Sequence, residues 1–194
     1  DTTPGSELRQ AEYLIQEYAI SLAEGVEKVF WFTLGDWSER WGLIAGKRNN
    51  PDWGYTSTNR PKSAFYALKR LTAALSPTGK RPAFLGYLPG KGLAIRMAFL
   101  ADGDPGRPVA IVWAPWNLKE TVTLPQVAGL VARDAHGKTI VTAKGTLAVT
   151  DVPIIVTGFK PGALKAATMQ ADPFLRSRLR NLVMNSSMEG ADRG

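Results

Sequence analysis

No cysteine occurs among the 194 residues. That removes disulfides, thiolate zinc sites and a cysteine nucleophile together, while leaving the compartment open, since secreted microbial chains also do without cysteine. Histidine is nearly absent too: His136 stands alone in the turn-like stretch "DAHGK". With no nucleophile or second ligand type beside it, a surface turn residue is expected there instead of a base or metal ligand. No apolar run approaches the roughly 20 residues of a spanning helix. The opening "DTTPGSELRQ" has neither the basic nor the apolar region of a signal peptide, and the missing Met at position 1 leaves room for a portion upstream. The glycines of "PGKG" and "DGDPG" lack the lysine-hydroxyl ending of a phosphate loop and its strand-then-helix context, so they read as turns. No dinucleotide fingerprint, metal-ligand cluster or Ser-His-Asp arrangement is visible. No cofactor is expected.

What is present bounds the chain further. A hydrophobic fraction of 44% supports an ordinary core, and the length suits one large domain or two small ones. The net charge of +7 would favour an acidic partner if it were clustered. Its local groups, Arg60/Lys62, Lys69/Arg70, Lys80/Arg81 and Arg176/Arg178/Arg180, fall on different predicted elements. Solvated faces are the expectation, without nucleic-acid binding or membrane insertion.

Leu8, Ala11, Ile15, Tyr18 and Leu22 recur at steps of three and four and predict an amphipathic helix over 6–24, closed by Gly25. Residues 26–34, "VEKVFWFTL", form an apolar run without polar alternation, as expected of a parallel strand covered on both faces. From Gly35 to Arg60 the composition is that of a long loop bearing tryptophans. Pro61 then opens a second helix with Ala64, Phe65, Leu68, Leu71 and Leu75 on one side. Beyond residue 80 the period falls to two, and runs such as "PVAIVWA", "ETVTLP", "GLVARDA", "TLAVT" and "PIIVTG" predict an antiparallel sandwich of seven or eight strands over about 82–159. "KPGALKAATMQADP" looks like a linker, and the basic tail after it is too short to close a core. A single parallel strand needs a partner that the first eighty residues do not contain. Either it pairs with the later sheet, or the chain is a piece of a larger α/β protein.

"QAEYLIQEYAISLAEGVEKVFWFTLGDW", the loop to "WGLI", and "RPKSAFYALKRLTAAL" together resemble the last α/β unit of clan A TIM-barrel glycoside hydrolases, of the β-xylosidase-like and endoglucanase-like kind. The later strands, with "VAIVWA", "VTLP" and "RDAHGK", resemble the small β domain attached to such barrels, and "NLVMNSSMEG" resembles the opening of a jelly-roll carbohydrate-binding module. The resemblance implies an α+β chain: residues 1–78 as the terminal helix-strand-helix portion of a (β/α)8 catalytic domain, 79–160 as an antiparallel β-sandwich, and 161–194 as a linker with the possible start of a third module. It implies an extracellular or cell-surface glycoside hydrolase of retaining mechanism, acting on polysaccharide or oligosaccharide, with intramolecular packing against upstream barrel segments.

In such hydrolases two Glu residues, at the ends of the fourth and seventh strands, perform the chemistry, and no catalytic residue is carried onto this chain. The eighth strand contributes an aromatic at the active-site end. Trp31 is accordingly the first substrate-binding candidate, with Asp36 and Trp37 beside it, since an indole plane covers the C–H face of a sugar. Phe30 and Phe32, pointing the other way, are expected in the core. Glu39, Trp41 and Trp53 are weaker loop candidates, and Asp36 with Glu39 lie too close in one loop to act across a glycosidic bond. Trp113 is expected in the core, and Trp116 is ambiguous. The competing readings are a noncatalytic carbohydrate-binding module and a structural interaction domain.

Overall fold

The computed structural model describes residues 4–31, 34–36, 41–50, 54–115, 118–126, 128–142 and 145–169. Phe32, Trp37, Glu39, Trp53, Trp116 and the tail from residue 170 lie outside the described residues. The chain is α+β: two helices packed on each other, a six-stranded antiparallel sheet and two small sheets.

Helix α1 runs Pro4–Ala23. It closes with Val26 N–H donating to the Ser21 carbonyl and Gly25 N–H to that of Leu22, with Gly25 at φ 83°. This is the glycine-terminated cap that a left-handed residue permits. Helix α2, Ser63–Leu75, buries Ala64, Ala67, Leu71 and Leu75. Between the helices lies a correction to the sequence expectation. Residues 26–31 form no strand, and Phe30, expected in the core, is 84% exposed. A parallel strand is held only by neighbours on its edges, and among the described residues the chain meets one only past this segment, where Gly35 bridges Ile44 in parallel. The expected long loop also differs, for part of it forms a hairpin, β1 Ile44–Asn50 with β2 Gly54–Pro61.

Strands β3 Ala83–Tyr87, β4 Ile95–Leu100, β5 Pro108–Trp113, β10 Ile154–Thr157, β7 Val131–Asp134 and β8 Thr139–Ile140 form the large sheet in that spatial order. Strands β6 Glu120–Thr123 and β9 Thr146–Val149 form a second sheet. The two-residue alternation divides the large sheet's side chains between two cores. Ile95, Met97, Phe99, Val109, Ile111 and Trp113 face α1 and α2, in one cluster with Ala11, Leu14, Ile15, Ala67 and Leu71. Ala94, Ala98, Ala110, Val112 and Val156 face β6 and β9, where Val122, Leu147 and Val149 meet them. The bulky side chains therefore point at the helices, and the alanines at the thin second sheet. Residues 161–169 lie against this second core through Leu164, and Thr168 exchanges two backbone bonds with Tyr87 along the free edge of β3.

Candidate functional site

The sequence candidates lie between the end of the 26–31 segment and the start of α2. Chain segments 34–36 and 41–44 approach closely here. Leu43 and Ile44 N–H both donate to the Leu34 carbonyl, at 2.9 and 2.8 Å, and Asp36 N–H donates to Ile44 at 2.9 Å. The approach requires a glycine at 42, since a Cβ there would stand 2.2 Å from the Gly35 carbonyl carbon and 2.3 Å from the Asp36 nitrogen.

Trp31 is half-buried, with its ring packed against the helix-facing core. Its Nε1–H donates to the Trp41 carbonyl at 2.7 Å, and that carbonyl also accepts from Gln10 Nε2 of α1 at 2.7 Å. The indole is thus fixed in orientation by a loop that α1 itself holds. The ring on the opposite side of the run is Phe30, and it faces out.

Asp36 is buried and engaged at both oxygens. Oδ1 accepts from Lys62 Nζ at 3.0 Å, and Oδ2 from Gly46 N–H at 3.2 Å. Both charged side chains are only 4% exposed, a placement tolerated when a buried charge is paired and hydrogen-bonded. Just outside lies a second pair, Arg60 with Glu7 of α1, bonded at two oxygens at 3.1 and 2.6 Å. That bond, reinforced by the nearby positive charges of Arg60 and Lys62, holds the Glu7 carboxyl below its ordinary range in spite of partial burial. Glu7, Arg60, Asp36 and Lys62 so alternate in sign across α1, β2, the loop and the start of α2.

Lys62 was missed by sequence reasoning, yet a signal was present. It occupies the N-cap of α2, where its side chain makes no capping bond. Lysine is a poor cap, so its position there points to another duty.

A shallow apolar groove of about 460 Å³ adjoins the cluster, between Leu34 and Leu43 on one side and Phe65, Leu68, Thr72 and Pro77 on the other.

His136 does lie in the β7–β8 turn, as expected, but it is not a plain surface residue. Its Nε2 is 3.0 Å from Glu12 Oε1 of α1, and Glu12 also receives Arg9, which reaches Asp151 at 2.5 Å. This network ties the helical layer to two turns of the sandwich. Trp113 is in the core, as expected, and its buried Nε1–H finds no partner among the described residues. Among the described residues no group of three or more His, Asp or Glu side chains is arranged to hold a metal ion, and no helix is long and apolar enough to cross a membrane.

No protein-family model matches the chain, and no curated protein does. Among solved structures it is similar to a family 39 glycoside hydrolase from the gut symbiont Bacteroides cellulosilyticus WH2. The likeness has a TM-score of 0.55 and 21% sequence identity, and it covers 79% of this chain. The fold is that of part of such a hydrolase. The chain spans 31% of the solved protein's length.

Proposed function

We propose that this chain is part of a glycoside hydrolase acting on polysaccharide or oligosaccharide. In this reading residues 1–78 complete a (β/α)8 catalytic body, 79–160 are the β-sandwich beside it, and 161–194 lead toward a further carbohydrate-binding module. The enzyme works outside the cell or at its surface by retaining double displacement. The catalytic carboxylate pair stands in the part of the body that this chain does not cover. Trp31 and Trp37 supply ring faces to the sugar, and Asp36 sets the loop that carries them.

One observation carries the reading: an indole at the end of an apolar run whose N–H is locked by the Trp41 carbonyl. Its orientation is set before any substrate arrives, which lowers the ordering cost of binding. The likeness in fold to a family 39 glycoside hydrolase supplies the reaction class. Glu7, Glu12 and Asp36 are each tied up in ion pairs, which suits a supporting role.

The test uses the longest polypeptide encoded with these residues, assayed on aryl glycosides and on xylan- and cellulose-derived oligosaccharides, with the first product's anomeric form followed by NMR. Hydrolysis with retention is expected there, and none from the 194-residue chain alone. Trp31→Ala should lower kcat/KM about tenfold, the loss of roughly 1.4 kcal/mol of ring contact in the transition state. Trp31→Phe, which keeps a ring against the helices, separates that loss from unfolding. A long polypeptide without hydrolytic activity on any of these substrates would sink the proposal.

A further inference from the structure

The side chain of Gln10 reaches from α1 to the backbone that holds the Trp31 indole. Its Nε2 donates to the Trp41 carbonyl at 2.7 Å and to the Gly42 carbonyl at 3.3 Å, so one amide nitrogen with two N–H groups spans two successive carbonyls. Only that end of a carboxamide can face two acceptors, which fixes the sense of the amide. The Trp41 oxygen accepts the indole Nε1–H at 2.7 Å as well. With two donors, both of its lone pairs are used.

That carbonyl needs something to aim it. Residues 41–43 belong to no helix or strand, so no periodic ladder sets its direction. Close packing on Gly35 demands a glycine at 42, and a glycine leaves the peptide plane between 41 and 42 freer to turn than any other residue would. Gln10 supplies the missing constraint from a firm base. One turn before it Glu7 holds Arg60 at two bonds, and the next residue, Ala11, is packed in the core. Without the carbonyl in place, the Trp31 ring keeps its packing against the helices but loses the bond that fixes its plane. We propose, resting on the reading of Trp31 as a sugar contact, that Gln10 is a positioning residue: by donating to the Trp41 carbonyl it sets the plane in which the indole meets the sugar. It touches no substrate itself. Position 10 accordingly calls for a donor of about this length, and an acceptor or an apolar chain there leaves the indole unaimed.

Gln10→Met, Gln10→Glu and Gln10→Lys make the test, since all three residues have helix propensities close to that of glutamine and only lysine keeps a donor. In the 194-residue chain the Trp31 indole N–H resonance is assigned by its disappearance in Trp31→Phe. It should exchange with solvent about tenfold faster in the Met and Glu variants, the effect of losing one hydrogen bond, and stay near its original rate in the Lys variant. The Trp113 indole, buried in the same core, should exchange alike in all of them and marks the change as local. Unchanged Trp31 exchange in the Met and Glu variants overturns the proposal, as does an equal loss in the Lys variant or a loss shared by Trp113. In the longest polypeptide encoded with the chain, Gln10→Met should lower kcat/KM by roughly three- to tenfold, and should have no further effect in the Trp31→Ala background. Factors that simply multiply in the double variant give Gln10 a role apart from Trp31 and overturn it. Exchange that depends on the donor at position 10, in the absence of any hydrolysis, removes the glycosidase reading and leaves the hold of Gln10 on the indole standing. Hydrolysis with exchange independent of residue 10 does the reverse.

Discussion

Asp36 and Lys62 form the test on which the geometry of the candidate site can be judged. Their charges are 3.0 Å apart and nearly sealed from water. At an effective dielectric of about 20 the attraction is roughly 5 kcal/mol, much of it offset by the cost of desolvating both groups. Removing one partner forfeits the attraction while the other charge stays buried, so each single substitution should cost about 3 kcal/mol. The two are not equivalent. Asp36→Asn keeps the shape and the acceptor for Gly46 N–H but takes the balancing negative charge from a buried ammonium. Lys62→Met leaves a carboxylate that still accepts from Gly46 N–H and still feels the positive charge of Arg60 close by.

Asp36→Asn should therefore be the more costly, and the double variant Asp36→Asn/Lys62→Met should recover part of the sum. For a cooperative unit of this size, about 3 kcal/mol lowers Tm by roughly 6 to 12 °C. Urea unfolding of the whole chain, with hydrogen exchange at Gly46 as a local readout, measures each corner of the cycle. If this region opens apart from the rest, the loss appears as faster exchange at Gly46 with the midpoint unmoved. Single variants that change neither the midpoint nor Gly46 exchange, or costs that merely add in the double variant, refute the buried pair.

Gly42→Ala should force segments 41–43 and 34–36 apart, because its Cβ would lie 2.2 Å from backbone; the loss of up to three backbone bonds, about 1 kcal/mol each, is read by exchange at Leu43 and Ile44. The Glu7 carboxyl is held below its ordinary range by Arg60, so this pair stabilises the fold above the unfolded carboxyl's pKa, and that stability is lost as pH falls through the lower folded value. Arg60→Gln should flatten that acid limb in melts between pH 2 and pH 7, and an unchanged limb contradicts the pairing. Trp113→Phe should cost under about 1.5 kcal/mol despite full burial, since it deletes an N–H that has no partner among the described residues as well as some packing, whereas Trp113→Ala should cost about 3 to 5 kcal/mol. Urea midpoints for the pair decide it.

Helices and sandwich strands were legible because periodicity reports burial on a single face. The Ala64, Ala67, Leu71 and Leu75 stripe and the Ile95, Met97, Phe99 alternation each need only one partner surface, which the chain supplies. The β1–β2 hairpin was not legible. "IAGKRNN" and "GYTSTNRP" carry little apolar pattern, and their pairing breaks register between Ala45 and Gly46 and again near Asn50, so main-chain bonds hold what side chains do not announce. The aromatic run failed in the opposite way. Its apolarity was read as a strand's, but a strand exists only with its neighbours, and residues 26–31 form none. Asp36 with Lys62, and His136 with Glu12, are separated by 26 and 124 residues, and no local rule links residues so far apart.

The polar contacts of α1 join the sandwich to the candidate site through one helix. At 3.6 residues per turn, Glu7 and Gln10 fall on one flank of the helix and Arg9, Glu12 and Gln16 on the other. The first flank holds Arg60 of β2 and the Trp41 carbonyl that fixes the Trp31 indole. The second holds Asp151 and His136, both on turns of the sandwich. Buried between the flanks are Ala11 and Ile15, with Leu14 next to them, packed against the large sheet and α2. A rigid helix anchored on both flanks cannot shift toward the sandwich without moving the Trp41 carbonyl with it. Glu12 and the Trp41 carbonyl that bonds Trp31 are thus tied to one and the same helix, without contact between Glu12 and the indole. The sandwich is the body against which α1 is held, through the shared core on one side and the Asp151 and His136 turns on the other.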